Sequence, residues 1–278
     1  MKKRFGFTLV ELLVVIAIIA LLISIVVPSL RAAREVAMRT VCATHLRGLG
    51  QGVIVYAQDN SDLVPESYYQ TGAGGWVSNA WLTYLLFEIH NNAAAAPKQR
   101  VSRTYGLGHL FMTDIIENGQ LFYCPSAPRD VAAAGAGGTV SHHYDFYSRG
   151  GTDFPWNNDP SGWNTNYVRS SYNYVPQASR SRQTVSTAGG TGDFPVMAKR
   201  TSQLFSGHAM STDLLQDLDR LPHKKGNFRR AGGVNVLFGD GSVDFRNNPD
   251  AFDSALWPTD RALGSDEYLF RTVLMQLQ

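Results

Sequence analysis

Lys2-Lys3-Arg4-Phe5-Gly6-Phe7-Thr8-Leu9-Val10-Glu11 opens the chain, and the apolar run that begins at Phe7 continues to Val27, just before Pro28, with Glu11 as its single acid. About 20 residues at ~1.5 Å rise cross a hydrocarbon core of ~30 Å, so the run has the length of a membrane-spanning helix. The basic start favours a cytoplasmic N-terminus, although Arg31, Arg34 and Arg39 beyond the span weaken that bias. Glu11 breaks the pattern. A carboxylate in lipid is costly unless something pairs with it, which makes an acid at this position functional by default. A secretory signal peptide would have a shorter apolar core and a small-residue cleavage site behind it. An uncleaved signal anchor would explain the apolar run, but not Gly6, Glu11 and Pro28 together.

These residues closely resemble the type IV prepilin and type II secretion pseudopilin family. Its leader ends in Gly, followed by Phe, with Glu at the fifth mature position and commonly Pro near the twenty-second; Gly6, Phe7, Glu11 and Pro28 fall at those places. The resemblance implies that a membrane-embedded prepilin peptidase cuts the Gly6–Phe7 bond and methylates the new N-terminus. It also implies assembly with other copies and minor pseudopilins on an inner-membrane platform. The expected location is single-pass in the inner membrane, with a cytoplasmic N-terminus and a periplasmic C-terminal domain, then in a filament. Residue chemistry supports the same reading independently. Cleavage would free an amine about one helical turn from Glu11, which a helix cannot easily fold back onto its own fifth residue. A neighbouring subunit's amine, shifted along the axis, can reach it. Pairing buried opposite charges is register-specific, because a misplaced neighbour leaves one unpaired.

Working outward, residues 29–60 read as the amphipathic continuation of the helix, rich in helix formers and ending at the Asp59-Asn60-Ser61-Asp62 turn signals. Leu30, Ala33, Ala37, Val41, Leu46, Leu49, Val53 and Tyr56 form one stripe. Gly48, Gly50 and Gly52 would let the helix lie close to a sheet, and Pro28 would loosen it locally. The expected organisation is a leader over 1–6, a transmembrane and assembly helix over 7–28, the continuation over 29–60 and an extracytoplasmic globular domain over 61–278. The fold class is α+β, a long N-terminal helix packed on a C-terminal antiparallel β-sheet domain.

Beyond residue 61 the chain is rich in Gly, Asn, Ser, Tyr and Trp. Residues 81–88 read as a short helix or a strand, 110–118 as a helix, 121–125 and 171–175 as extended segments, and 267–277 as a terminal helix. Val234, Val236 and Phe238 alternate with Asn235 and Leu237 before Gly239-Asp240-Gly241-Ser242, and Val243 and Phe245 follow on one face. An Asp-Gly turn between alternating segments is a strong hairpin signal. Many pseudopilin-like proteins are similar here, with a His a short spacer before the Asp-Gly hairpin. The usual spacing lands on Arg230, and His223 lies too far upstream, so the His role is unassigned.

Catalysis finds little support: no nucleophile elbow, zinc-protease, phosphate-loop or dinucleotide motif occurs. His142-His143 with Asp145 reads as a loop-exposed pair, and Asp213, Asp217 and Asp219 as a solvated helix face. Asp240 and Asp244 are the calcium candidates by residue type, but the turn already explains Asp240, so no metal or other cofactor is assigned. Cys42 and Cys124 read either as a disulfide from helix to sheet or as two buried thiols; without nearby His spacing they do not suggest zinc. Trp76, Trp81, Trp156 and Trp163, with Tyr144, Tyr147, Tyr167, Tyr172 and Tyr174, could stack on sugars or partners or pack the interior. Removing the leader takes the net charge from +2 to −1, leaving 22 basic against 23 acidic side chains. That balance gives no support for nucleic-acid binding. The functional expectation is a non-enzymatic subunit of a type II secretion pseudopilus or type IV pilus-like filament. The alternative is a membrane-anchored envelope protein that binds or hydrolyses carbohydrate.

Overall fold

The computed structural model describes residues 8–67, 80–90, 95–127, 131–132, 139–140, 143–148, 153–156, 167–187, 190–215, 221–225, 230–257 and 267–278. The chain divides into two compact units, Met1–Met38 and Arg39–Gln278. The layout is α+β and consistent with a pilin-like fold, a long N-terminal helix followed by antiparallel sheets.

In chain order the helices are α1 (Leu9–Asp59), α2 (Gly108–Met112), α3 (Tyr144–Tyr147) and α4 (Glu267–Gln276). The strands are β1 (Leu85–Ile89), β2 (Val101–Thr104), β3 (Val131–Ala132), β4 (Thr139–Val140), β5 (Tyr167–Arg169), β6 (Tyr172–Tyr174), β7 (Gln177–Thr187), β8 (Gly190–Met197), β9 (Ala209–Asp213), β10 (Lys224–Lys225), β11 (Arg230–Ala231), β12 (Val234–Phe238) and β13 (Val243–Arg246).

The first unit is the N-terminal part of α1. Helix assignment continues through Pro28, where the ring removes one intrahelical donor. The hydroxyls of Ser24 and Ser29 donate back to the carbonyls of Leu21 and Val26, at 2.7 and 2.8 Å, and satisfy themselves within the helix.

The second unit begins at Arg39, within the helix. Its centre is a four-stranded antiparallel sheet in the order β13-β12-β9-β6. Strand β12 is buried along its whole length. Leu237 joins a core with Cys42, Leu46, Leu49 and Val53 of α1, while Val234, Val236 and Phe238 join another with Phe270, Val273 and Leu274 of α4. The period-2 alternation sends these side chains to opposite faces, so the sheet has a helix on each side. The alternation marked the strand correctly. What it could not distinguish was a one-sided strand from this two-sided one.

The buried stripe of α1 runs Cys42, Leu46, Leu49, Val53 and Ala57: Leu46, Leu49 and Val53 are as expected, Cys42 and Ala57 stand one position on from Val41 and Tyr56, and the expected Leu30, Ala33 and Ala37 are exposed. Val41 stays 42% exposed, because the disulfide to Cys124 turns the Cys42 side of the helix inward. Gly50 faces the sheet: a Cβ built there would lie 3.0 Å from both methyl carbons of Leu237. Gly50→Val should therefore overpack this contact and destabilise the unit by about 1–3 kcal/mol. A thermal melt would register this as a lower midpoint, and an unchanged midpoint would mean that the helix can stand off from β12 at no cost.

The helix ends as the turn residues suggested. Asp62 N donates to the Ala57 carbonyl at 2.9 Å, with Ser61 at φ 56° in the left-handed position that closes such a cap. The Asp62 carboxylate then accepts from the hydroxyls of Thr201 and Ser202, and those bonds hold its pKa below the usual value.

Elsewhere residues 80–89 are both of the forms the sequence left open, a 3-10 turn at Ala80–Tyr84 running into β1. The helix expected over 110–118 is only α2, because Asp114 takes a left-handed φ of 60° directly after it. The extended segment expected at 121–125 begins instead with a 3-10 turn, Gly119–Phe122. The hairpin of β7 and β8 was not anticipated at all. Its residues are mostly polar, with Thr184–Asp193 and Ser186–Thr191 side-chain hydrogen bonds across one face, while Val185 and Phe194 are buried on the other.

Candidate functional site

Among the described residues the apolar stem is the largest feature left uncovered within its own unit. Every large apolar side chain over residues 9–27 is exposed, from Leu9 at 79% to Val27 at 37%. A helix apolar on all sides belongs in lipid or in a core. This one is long and apolar enough to cross a membrane, and none of its apolar window is buried.

Gly6 and Phe7 lie outside the described residues. Glu11 is described, and the structure gives it a local role that the sequence reading did not anticipate. Its carboxylate accepts the Thr8 backbone N–H at 2.8 Å and the Thr8 hydroxyl at 2.7 Å. The Glu11 N–H donates to the same hydroxyl at 3.3 Å. With Thr8 preceding the first helical residue, this is a capping box that satisfies donors at the start of α1. The signal was visible as Thr8-Leu9-Val10-Glu11.

A second constellation lies inside the globular unit, and sequence reasoning missed it. The structure joins Cys42 to Cys124 by a disulfide with a Cα–Cα distance of 5.2 Å. Beside it stand Asp213, at the end of β9, and His223, both fully buried. His223 Nε2 is 3.4 Å from Asp213 Oδ2 and 3.7 Å from Cys124 Sγ. Asn235, on the α1-facing side of β12, donates its backbone N–H and its side-chain amide to Asp213 Oδ2 at 2.6 and 3.0 Å. Asp213 is thus not on the solvated helix face expected of it; Asp217 and Asp219 lie outside the described residues. One turn along α1, His45 contacts the Tyr123 carbonyl at 3.0 Å. Burial lowers its pKa against the opposing pull of that carbonyl. The fold therefore prefers the neutral ring, and this contribution to stability fades as pH falls through the unfolded imidazole value and below it.

The remaining candidates are dispersed. The Asp240 carboxylate accepts the N–H and hydroxyl of Ser242 at 2.8 and 2.6 Å, which closes the hairpin turn and lowers its pKa. Asp244 lies on β13, 3.4 Å from Arg246 Nε. His143 caps α3, accepting the Asp145 N–H at 3.3 Å; His142 lies outside the described residues. Tyr144, Tyr147, Tyr172 and Tyr174 are buried in the core. Trp156 is half-buried under Arg100, whose guanidinium carbon stands 4.9 Å from the ring centroid. Trp76 and Trp163 lie outside the described residues, as does the side chain of Trp81. The described aromatics are thus mainly packing groups.

Residues 1–27 match the family model described as the prokaryotic N-terminal methylation motif. Over 61 residues the chain is 44% identical to the type IV wide pilus major component PilA4 of Thermus thermophilus, a match covering 22% of this chain and 47% of that relative. The chain thus spans about half the length of the curated relative it matches. No solved structure matches. The motif and the relative fit the type IV pilin and pseudopilin family.

Proposed function

We propose that the mature chain is a structural subunit of a pseudopilus or pilus-like filament. A prepilin peptidase releases residues 1–6, and the Phe7 amine becomes methylated. The observation that carries this reading is the stem. Its apolar surface over residues 9–27 is exposed on all sides, so it needs lipid before assembly and the stems of other copies after it. Packing between stems would supply most of the cohesion, and the Phe7 amine of one copy would meet Glu11 of another. The membrane state is a single span with the N-terminus in the cytoplasm and the globular unit in the periplasm. Assembly proceeds on an inner-membrane platform with other pilin-like subunits. The globular unit acts as a structural part of the subunit and not as an enzyme.

The deciding measurement is mass spectrometry of the N-terminal peptide, taken from membranes in which the chain is co-expressed with the processing peptidase. The expected peptide begins at methylated Phe7. Gly6→Val should leave the leader in place and the chain at its full mass. An intact Met1 in the native chain would reduce the stem to a simple anchor.

A further inference from the structure

The buried cluster has the composition and spacing of a metal site. Cys42, Cys124, Asp213 and His223 each offer one ligand atom, and the four atoms lie within 4.8 Å of one another, all buried. A tetrahedral zinc ion, with bonds of ~2.3 Å to sulfur and ~2.0–2.1 Å to nitrogen or oxygen, holds its S and N ligands about 3.6 Å apart and its N and O ligands about 3.3 Å apart. The corresponding separations here are 3.7 Å from Cys124 Sγ to His223 Nε2 and 3.4 Å from His223 Nε2 to Asp213 Oδ2. Two of the tetrahedron's edges are therefore already set. Asn235 supplies the outer hydrogen bonds that orient a ligating carboxylate, through two donors to Asp213 Oδ2.

We propose that the dithiol form of this protein binds one zinc ion between Cys42, Cys124, Asp213 and His223, so that zinc and the disulfide are alternative occupants of one clasp. A dithiol reductant passes two electrons to the disulfide. Its own sulfurs join in a new S–S bond, and its two protons go to the Cys42 and Cys124 sulfurs. Zinc then displaces both thiol protons to the solvent and is held by two thiolates, one carboxylate and a neutral imidazole. Thiolate and imidazole ligands in a closed tetrahedron select zinc over calcium or magnesium, which take oxygen ligands in larger numbers. The ion would tie α1 directly to β9, whereas the disulfide ties α1 to the segment after the Gly119–Phe122 turn.

The test uses the full chain in detergent, reduced with a phosphine so that no added thiol competes for metal, and titrated with cobalt(II) and then zinc. The reduced protein should take up one cobalt ion per chain, with the intense visible bands of tetrahedral coordination and a thiolate-to-cobalt charge-transfer band. Zinc should abolish both, and the oxidised protein should show neither. Asp213→Asn and His223→Gln should each weaken zinc binding by at least about tenfold. Each variant is first checked by circular dichroism in its disulfide form. If one fails to fold, Asn235→Ala replaces it, with an expected loss of about 10–100-fold. The proposal is overturned if the reduced chain takes up no metal, if cobalt gives the weak spectrum of octahedral coordination, or if the folded variants bind zinc as tightly as the native chain. A reduced chain that unfolds and is not restored by zinc overturns it equally.

Discussion

Cys124→Ser should lower the stability of the oxidised globular unit by about 4 kcal/mol, the largest single-residue effect on folding expected in this protein. The disulfide closes a loop between residues separated by 82 positions. In the chain-entropy account a cross-link of that span removes about 4–5 kcal/mol of denatured-state freedom at 25 °C. Both cysteines are fully buried in the α1-facing core, so the serine hydroxyl adds a desolvation cost, while residual structure in the unfolded chain reduces the total. Urea denaturation under non-reducing conditions should place the variant's midpoint well below that of the native chain. Reductant with a metal chelator should bring the native chain down to the variant's level and leave the variant unmoved. A difference within about 0.5 kcal/mol, the range of an ordinary surface change, would mean that packing of α1 holds the unit together without the cross-link.

The second large effect concerns assembly. Glu11→Ala should leave membrane insertion intact, since it removes a charge from an apolar segment, yet reduce incorporation into filaments by about tenfold or more, because a partner amine is left unmatched in a low-dielectric setting. The capping box complicates that variant, since alanine also removes the acceptor for the Thr8 N–H and hydroxyl. Glu11→Gln separates the two roles. Glutamine can complete a capping box but carries no charge to meet an amine. If pairing with a neighbour sets the register, Gln should fail nearly as badly as Ala. If the helix start is what matters, Gln should assemble almost normally while Ala does not. Quantifying filament-bound against membrane-bound subunit for all three chains decides between them, and normal incorporation of both variants would end the case for Glu11 in assembly.

The two roles are also compatible in sequence. In the proposed assembly, the Thr8 donors would occupy the carboxylate beforehand, so the acid need not enter lipid without hydrogen-bond donors. An incoming amine would then compete with those donors. That exchange offers a physical route from a stored subunit to an assembled one, and the Gln variant probes it directly.

Sequence was sufficient for the stem, the exit of α1 and the last hairpin, where a strong local signal controls the structure. The stem follows from the apolar run after Phe7, broken only by Glu11 among charged residues, because a helix satisfies its backbone internally and needs only length and hydropathy to be recognised. The exit of α1 follows from Asp59-Asn60-Ser61-Asp62, and the hairpin of β12 and β13 from alternation around Asp240-Gly241, since turn chemistry and strand period act over a few residues. The Thr8-to-Glu11 cap is equally legible as a Thr followed three positions on by a Glu at a helix start. Tertiary structure alone decided that β12 is covered on both faces, that Cys42 rather than Val41 turns inward, and that Asp213 and His223 meet the cysteines. Asp213 is 89 positions beyond Cys124, and Cys124 is 82 beyond Cys42. No short-range spacing encodes such a meeting, because it depends on how α1 and the strands stack, and that is fixed by burial summed over the whole core rather than by any segment of the chain.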